Sequence, residues 1–485
     1  MLLRTGGRGR NGSHFMNDQA RVREERIIEK HLAISRDGYG ALARVIEFCC
    51  AGCGLCISVC PHQSLSFDEE RKRPYLRGRC DGCGWCYLAC PRSFLPLSRI
   101  RDTYYGRGKG EEQQRLGEFQ DICVARSLTD AIYREGTPGG TTTAIVHFLL
   151  ERGYADAALL TRGTHPDHTY CMHPEPYIAR SPEEVLFSSH SKFEISPVLS
   201  KLRELSQQES GIFVGTPCHI MAFRKLQIVA ADDVFHQKMG ELSRCAHSLT
   251  AKVKFALSIN CFLNHTSMDK AYRWLGVNER DIVRFNENVS KELFEKALRE
   301  GKDWRWLIKS CVVTKDGLEH HYDLLALGAL VLYSGCLLCD DSIVSSHADA
   351  SIGFFGTETG EKEFGWNSLV IMNGELKTII DEMVSMKKLE RKPMLKGYGR
   401  VIRKVVEWCM RTLMPPLDVM GVARYLRTGA WTYPKVLKRM RGPRRGTYIL
   451  GLELLFLAQT LRRKMFFEGA LRALKKAGAY YTTVY

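Results

Sequence analysis

The sequence lacks a hydrophobic run long enough to cross a membrane. A transmembrane helix needs about 20 consecutive apolar residues, whereas the longest apolar stretch, residues 448–458, is interrupted by Glu453. The N-terminal residues include several arginines but no apolar segment of the kind that a secretory signal requires. We therefore expect a cytoplasmic protein with no transmembrane helix.

Acidic side chains are scarce near the C-terminus. Residues 386–485 contain 23 lysines and arginines but 5 acidic residues, whereas the rest of the chain contains 47 basic and 49 acidic side chains. The formal net charge of +16 therefore belongs to a C-terminal extension. Apolar residues at helical spacing in residues 401–414 predict that it is mainly helical. Basic helices suit a partner subunit or the surface of an anionic membrane, and nucleic acid is the least favoured partner.

Cysteine is abundant, with 18 in the chain. Structural disulfides are rare in the reducing cytoplasm, so metal binding is the leading explanation. Half of the cysteines lie in two runs, "FCCAGCGLCISVCP" at residues 48–61 and "RCDGCGWCYLACP" at residues 79–91. Each run has the order C-x2-C-x2-C-x3-C-P, which is the spacing of bacterial ferredoxins that bind [4Fe–4S] clusters.

The two runs predict two sets of cluster ligands. In two-cluster ferredoxins the fourth cysteine of each run binds the other cluster. We therefore assign to the first cluster Cys50, Cys53, Cys56 and Cys90, and to the second Cys80, Cys83, Cys86 and Cys60. Zinc is the alternative, but zinc sites use two C-x2-C pairs separated by a longer spacer. Cys49 is out of step, although it could replace Cys50.

Strand-like and helical patterns alternate between residues 118 and 376. This alternation predicts an α/β domain with a mostly parallel sheet. The predicted strands are residues 121–128, 155–162, 211–217 and 254–262, and the predicted helices include residues 196–208 and 218–227. A third helix opens on the glycine-rich segment "GTPGGTTTA", residues 136–144, which matches neither of the common phosphate-binding motifs. Residue types alone favour a ligand loop and a simple helix cap about equally.

Four later cysteines form a possible third metal site. Cys218 lies in the first turn of a helix after one predicted strand, and Cys261 follows another strand. Cys336 and Cys339 form a C-x2-C pair that needs two more ligands. Because parallel strands end at one edge of a sheet, Cys218 and Cys261 are the natural candidates to complete a [4Fe–4S] site. From these residues alone, zinc and buried thiols beside a redox pair remain equally open.

Together these motifs resemble the coenzyme F420 hydrogenase/dehydrogenase beta-subunit family. That family includes the beta subunit of the F420-reducing hydrogenase and the input subunit of the F420 dehydrogenase. The motifs occur in the family's order and cover approximately residues 45–375. Besides the double cysteine run, the segments that carry the resemblance are residues 138–160, 189–202, 214–226, 259–264, 336–356 and 365–369.

The resemblance implies an FAD that exchanges a hydride with coenzyme F420, while [4Fe–4S] clusters pass single electrons to or from a redox partner subunit or ferredoxin. It does not identify a catalytic side chain. The implied cofactor-binding residues are Gly139, Gly140, Thr143, Ser191, Lys192, Thr216 and Pro217. The implied ligands of a flavin-proximal cluster are Cys218, Cys261, Cys336 and Cys339. Phe193 stands where a tyrosine is usual, so any role of that hydroxyl is lost.

F420 is anionic, and it needs basic groups near its binding site. Lys192, Arg224 and Lys225 are the candidate counter-charges in the motifs that carry the resemblance. Solvated surface cations are the alternative for each.

The sequence therefore predicts an α/β (α+β) flavin domain, residues 118–376. An N-terminal tail, residues 1–40, and a ferredoxin-like 2×[4Fe–4S] module, residues 41–100, precede it, and a basic helical extension, residues 386–485, follows. The expected activity is that of an F420-dependent iron–sulfur flavoprotein oxidoreductase. Two alternatives keep the scaffold: a ferredoxin-dependent reductase of another small organic molecule, and a non-catalytic electron-transfer subunit of a larger complex.

Overall fold

The computed structural model describes residues 18–104, 118–136, 139–163, 173–261, 277–286, 309–323, 336, 345, 347–353, 365–394 and 480–484. Its helices are α1 (Asp18–Ser35), α2 (Tyr39–Cys49), α3 (Leu55–Val59), α4 (Trp85–Ala89), α5 (Leu97–Tyr104), α6 (Asp130–Glu135), α7 (Thr141–Glu151), α8 (Pro182–Val185), α9 (Pro217–Ala231), α10 (Asp233–Lys238), α11 (Gly240–Thr250) and α12 (Gly374–Ser385). Its strands are β1 (Leu65–Asp68), β2 (Arg73–Leu76), β3 (Asp121–Ser127), β4 (Ala157–Arg162), β5 (Glu175–Ala179), β6 (Gly211–Gly215), β7 (Val253–Ile259), β8 (Ile282–Asn286), β9 (Lys309–Thr314), β10 (Leu318–Asp323), β11 (Ala350–Gly353), β12 (Asn367–Ile371), β13 (Leu389–Pro393) and β14 (Tyr480–Val484).

The largest layer is a mixed sheet of eight strands in the order β13-β3-β12-β11-β7-β6-β4-β5. The four strands β11, β7, β6 and β4 run parallel to one another. Every other neighbouring pair is antiparallel. The prediction of a mostly parallel sheet is therefore wrong outside this central part, because β5, β12 and β13 each run against their neighbours. The fold is mixed α/β.

Each face of the sheet has its own core, since alternate residues of a strand point to opposite sides. In β6, Ile212 packs with side chains of α7 and α12, including Phe148 and Met383. The next residue, Phe213, lies on the other face with Phe223 of α9, at a ring-centroid distance of 5.7 Å. The two cysteine runs pack into this second core. The sheet is thus covered by helices on one face and by helices plus the cysteine-rich module on the other.

Two smaller sheets are antiparallel. Strands β1 and β2 form a hairpin between the two cysteine runs, and a second sheet has the order β14-β10-β9-β8. Both β13 and β14 lie within residues 386–485, and β13 belongs to the main sheet. The main sheet therefore extends past residue 386. The helical prediction for residues 395–479 lies outside the described residues. Among the helices that the structure describes, none is long and apolar enough to cross a membrane.

The predicted N-terminal tail includes a packed helix. Ile28 and His31 of α1 are fully buried, and their spacing of three places them on one helical face. The His31 ring stacks on Phe94 with centroids 4.6 Å apart, and its Nδ1 atom lies 2.7 Å from the Tyr87 hydroxyl oxygen. Residues 18–40 therefore form part of the cysteine-rich module instead of preceding it.

The cysteine-rich module is docked tightly onto the sheet domain. Gly54 has a φ of +78°, and a Cβ there would lie 2.6 Å from the carbonyl oxygen of Pro197. The predicted helix at residues 196–208 is a short 3-10 segment, Val198–Glu204, which follows this contact. Lys72 Nζ and Glu194 Oε2, 3.6 Å apart, form a buried ion pair between the two parts. Close backbone contact and a buried charge pair together fix their relative position.

Candidate electron-transfer and cofactor site

The first predicted set of cluster ligands is brought together in the buried interior. Cys50, Cys53, Cys56 and Cys90 are each 7% exposed and belong to one core. Burial raises the pKa of the Cys53 and Cys56 thiols well above their ordinary range, and the thiols of Cys50 and Cys90 add to both shifts. We call this group the cluster I site. Its fourth member comes from the second run, as the ferredoxin pattern predicts.

The second predicted set lines a small cavity that is partly open to solvent. Its walls include Cys60, Cys80, Cys83 and Cys86, and we call it the cluster II site. Burial raises the pKa of Cys86, and the thiols of Cys83, Cys60 and Cys80 raise it further. Cys80 is exposed, whereas all members of the cluster I site are buried. The two sites therefore differ in their access to the surface.

Both sites suit iron–sulfur clusters better than uncoordinated thiols. Burial disfavours a free thiolate at both sites, and the positive charge of bound iron would stabilise the thiolates there. The backbone N–H of Gly52 donates to Cys50 Sγ at 3.3 Å, as cluster-binding loops do. In the part of the chain that the structure describes, no three His, Cys, Asp or Glu side chains converge closely enough for a single metal ion. A [4Fe–4S] cluster binds each thiolate through a different iron, so its ligands stand further apart.

A buried lysine contacts the cluster I site. Lys225 is fully buried, and its Nζ donates to the carbonyl oxygen of Cys90 at 2.6 Å and to Ser93 Oγ at 3.0 Å. The same ammonium lies 3.8 Å from the centroid of the Phe94 ring. Burial lowers the pKa of Lys225 to about 7. Its predicted role as a counter-charge for F420 is wrong, because its donors point into the protein.

Arg224 is also turned inward. It is 5% exposed, and its Nε donates to the carbonyl oxygen of His347 at 2.7 Å. Its Nη2 lies 3.0 Å from Asp349 Oδ2, and its guanidinium stacks on the Tyr104 ring. Asp349 also accepts from the backbone N–H of Ala256. Arg224 therefore ties α9 to the sheet and is not an accessible cation.

Two of the four predicted ligands of a third cluster lie at one edge of the sheet. Strands β6 and β7 are parallel neighbours in which Gly215 pairs with Ser258. Cys218 and Cys261 follow these two residues by three positions each, so they share the carboxyl edge of the sheet. The charge of Cys218 raises the pKa of Cys53 after larger effects of burial, Cys90 and Cys50. Cys218, one of the four predicted ligands of the third site, therefore lies within electrostatic range of the cluster I site.

The C-x2-C pair is described only in part. Cys336 is half-buried and packs against the core that contains the cluster I site. Cys339 lies outside the described residues. None of the cysteines that the structure describes forms a disulfide.

The predicted flavin loop opens α7 and is held by one side chain that sequence reasoning did not single out. Asn367 Oδ1 accepts from the backbone N–H groups of Gly139 and Thr141, at 3.1 and 3.2 Å. Its Nδ2 donates to the carbonyl oxygen of Gly353 at 3.0 Å. A Cβ on Gly139 would lie 2.7 Å from the carbonyl oxygen of Gly365. Packing within the protein thus explains this glycine without a ligand. Thr143, two residues after Thr141 in α7, is buried.

The other predicted flavin contacts differ in their availability. Lys192 Nζ donates to the carbonyl oxygens of Ser188, Ser189 and His190 at 2.8, 2.5 and 3.1 Å. A phosphate would have to replace one of these bonds. Ser191 is half-buried beside it. Thr216 and Pro217 lie at the carboxyl end of β6, where Thr216 Oγ1 is 3.2 Å from Cys218 Sγ.

Buried polar atoms without a hydrogen-bond partner lie along the same edge. They include Asn260 Nδ2, directly after β7, and Ser368 Oγ, in β12. The backbone N–H of Asn260 donates to Ile352 of β11, and Ser368 pairs with Gly353 at the end of that strand. Unpaired buried polar groups are rare in proteins and call for a partner. This edge therefore presents polar atoms that a polar ligand would satisfy.

Comparison with known proteins identifies the family. Residues 122–203 match the N-terminal domain of the coenzyme F420 hydrogenase/dehydrogenase beta subunit, and residues 209–396 match its C-terminal domain. The chain belongs to this family. Residues 49–94 match the 4Fe-4S dicluster domain. The predicted family and the predicted 4Fe–4S module are thus confirmed, and the protein is an iron–sulfur member of the F420 hydrogenase/dehydrogenase beta-subunit type.

Several proteins are similar to this chain at low identity. Coenzyme F420 hydrogenase subunit beta of Methanosarcina barkeri is 26% identical, over 65% of this chain and 98% of its own length. Coenzyme F420-dependent sulfite reductase of Methanocaldococcus jannaschii is also 26% identical, over 72% of this chain and 48% of its own length, so the chain spans about half of that enzyme. A chain of the F420-reducing [NiFe] hydrogenase complex from Methanosarcina barkeri aligns with a TM-score of 0.44 and 22% identity, over 61% of this chain and 92% of that one.

Proposed function

We propose that this protein exchanges a hydride between coenzyme F420 and a bound FAD, and passes single electrons to or from a partner through [4Fe–4S] clusters. When bound, FAD would supply the conversion between a two-electron hydride and single electrons. The proposed cofactor-binding residues are Gly139, Gly140, Thr143, Ser191, Lys192, Thr216 and Pro217. The proposed ligands of the flavin-proximal cluster are Cys218, Cys261, Cys336 and Cys339.

The observation that carries the proposal is the closeness of Cys218 to Cys53. Cys218 belongs to the carboxyl edge of the sheet, where ligands bind in α/β folds. Cys53 belongs to the cluster I site, and each thiol lies within electrostatic range of the other. A redox centre at the sheet edge would therefore have the cluster I site as its neighbour. This supports the order from the sheet edge to cluster I and then to cluster II, whose ligand Cys80 is exposed.

The polar edge of the sheet supports a bound flavin. Asn260 Nδ2 and Ser368 Oγ are buried without partners, and a ligand with carbonyl and ring nitrogen atoms would satisfy them. Asn367 holds the loop of Gly139 and Thr141 in place beside them. These residues would orient the ligand, and none of them needs to transfer a proton.

The test is anaerobic purification of the full chain, followed by cofactor analysis and F420 turnover with a dye as electron donor or acceptor. We expect FAD, about 12 irons per chain and dye-linked F420 turnover. Flavin and iron without F420 turnover would reject the proposal and favour a reductase of another small molecule or a non-catalytic electron-transfer subunit.

The third cluster has its own test in Cys218→Ala. This variant should lose about four irons and keep the two ferredoxin-type clusters. Cys245→Ala is a matched control, because Cys245 is a half-buried thiol of α11 outside the proposed ligand sets. Unchanged iron in Cys218→Ala would remove the third cluster from the scheme.

A further inference from the structure

The cluster II site opens onto a surface with exposed apolar side chains. Cys80 is exposed, and Leu76 and Arg79 line the mouth of its cavity. Tyr75 and Leu76, at the end of β2, are 43% and 36% exposed. Scattered surface apolar residues are common in soluble proteins. Here two of them adjoin the predicted cluster that lies nearest to solvent.

The acidic side chains around this mouth are already paired. Asp81 Oδ2 lies 2.7 Å from His62 Nε2, and its Oδ1 accepts from the backbone N–H of Cys83. Asp37 Oδ2 lies 2.5 Å from Arg44 Nη1. The charge of Asp37 is therefore balanced by Arg44, whereas the charge of Asp81 is balanced only while His62 is protonated.

The basic side chains of the same region are not balanced. Arg77 and Arg79 are exposed, and neither forms an ion pair with a residue that the structure describes. Arg36 is also exposed, two residues before Gly38, whose backbone lies against Cys80 Sγ. Three exposed arginines thus lie near the mouth, although the chain before residue 386 is nearly neutral overall.

We propose that Arg36, Tyr75, Leu76, Arg77 and Arg79 form a docking face for a one-electron carrier protein that has acidic side chains around its own redox centre. Tyrosine and arginine are the residue types enriched at interface cores. Opposite charge would steer the two proteins together and orient the carrier's centre towards cluster II. One electron crosses the interface, and no bond or proton changes place. The inference rests on the proposed function only in that electrons enter or leave through cluster II.

The test compares two double variants of the full, cluster-loaded protein with the same change in net charge. Arg77→Glu/Arg79→Glu reverses the docking face. Lys315→Glu/Lys387→Glu reverses two exposed lysines elsewhere, in the β9–β10 turn and just before β13. The probe is a small acidic ferredoxin with two [4Fe–4S] clusters. Its binding is measured by calorimetry without turnover, and its electron-transfer rate by stopped flow at low and high salt.

We expect the docking variant to bind the acidic ferredoxin at least about tenfold more weakly at low salt and to lose most of the salt dependence. The control should bind like the unaltered protein. Equal weakening in both variants would overturn the proposal, because the effect would then be one of net charge alone. No binding of the acidic ferredoxin to the unaltered protein, including the case of a permanently bound partner subunit on this face, would also overturn it.

Dye-linked F420 turnover separates this inference from the proposed function. Both double variants should keep that turnover, since a small dye needs no docking face. If F420 turnover were absent while charge-dependent ferredoxin binding persisted, the docking face would stand and the proposed substrate would not.

Discussion

Each cysteine run is predicted to give its fourth ligand to the cluster of the other run. Pairs of substitutions can test this crossed assignment. Cys90 groups with Cys50, Cys53 and Cys56 in the structure, although it follows Cys86 in the sequence. Each single substitution, Cys53→Ala, Cys86→Ala or Cys90→Ala, should therefore remove one cluster of about four irons. The double variants separate the two possible assignments.

If Cys90 serves the cluster I site, Cys53→Ala/Cys90→Ala removes two ligands of one cluster and should still lose about four irons. Cys86→Ala/Cys90→Ala removes one ligand from each cluster and should lose about eight. The assay is iron and acid-labile sulfide per chain, with electron paramagnetic resonance of the reduced protein. The opposite pattern, about eight irons lost in the first pair and about four in the second, would refute the crossed assignment.

Loss of a buried ligand also tests the stability of the module, so a control is needed. Cys123→Ala removes a thiol of β3 that is 4% exposed and lies in the core on the other face of the sheet. It should keep all of its iron while losing roughly 1–2 kcal/mol of unfolding free energy. If an alanine variant lost both clusters, serine at the same position would retain a weaker oxygen ligand and allow the same comparison.

Three further predictions follow from single side chains. Lys225→Met removes a buried amine beside Cys90 that is positively charged below its pKa of about 7, so at pH 6 the reduction potential of cluster I should become more negative by an amount on the order of tens of millivolts, measured by redox titration with electron paramagnetic resonance. Asn367→Ala leaves two N–H groups and one carbonyl unpaired, and denaturant unfolding should show a loss of about 2–4 kcal/mol. His31, whose pKa burial lowers to about 3, is neutral in the folded protein but takes up a proton when unfolded below about pH 6.5. Stability should therefore fall as the pH drops from 6.5 towards 3, by about 1.4 kcal/mol per pH unit for this group, and His31→Phe should lessen the fall between pH 7 and pH 5.

Local patterns allowed accurate prediction where the chemistry is local. The spacing within each cysteine run is enough to predict a cluster-binding loop, because three cysteines at steps of three can surround one cluster. The strand predicted at residues 211–217 is confirmed as β6 (Gly211–Gly215), and the helix predicted from residue 218 is confirmed as α9. In both, apolar periodicity within one segment carries the signal.

Features that depend on distant partners were not predictable in this way. The antiparallel half of the sheet depends on pairings that the sequence does not display, and β13, a charged edge strand, falls within the segment that was predicted to be a basic helical extension. Lys225 was expected at the surface because lysines are almost never fully buried. Asn367 bonds to Gly139, 228 residues away, and no local signal marks one asparagine for such a role.

The tight docking of the cysteine-rich module has a consequence for how the rate of electron flow is controlled. Gly54 packs against the backbone of Pro197, and the buried pair of Lys72 and Glu194 spans the same contact. Swinging the module away would expose to water the apolar side chains of the core that the two parts share, at a cost of several kcal/mol. The module therefore does not shuttle between donor and acceptor as a tethered carrier does. Internal transfer should be insensitive to solvent viscosity, and diffusion should limit only the encounter with the external partner.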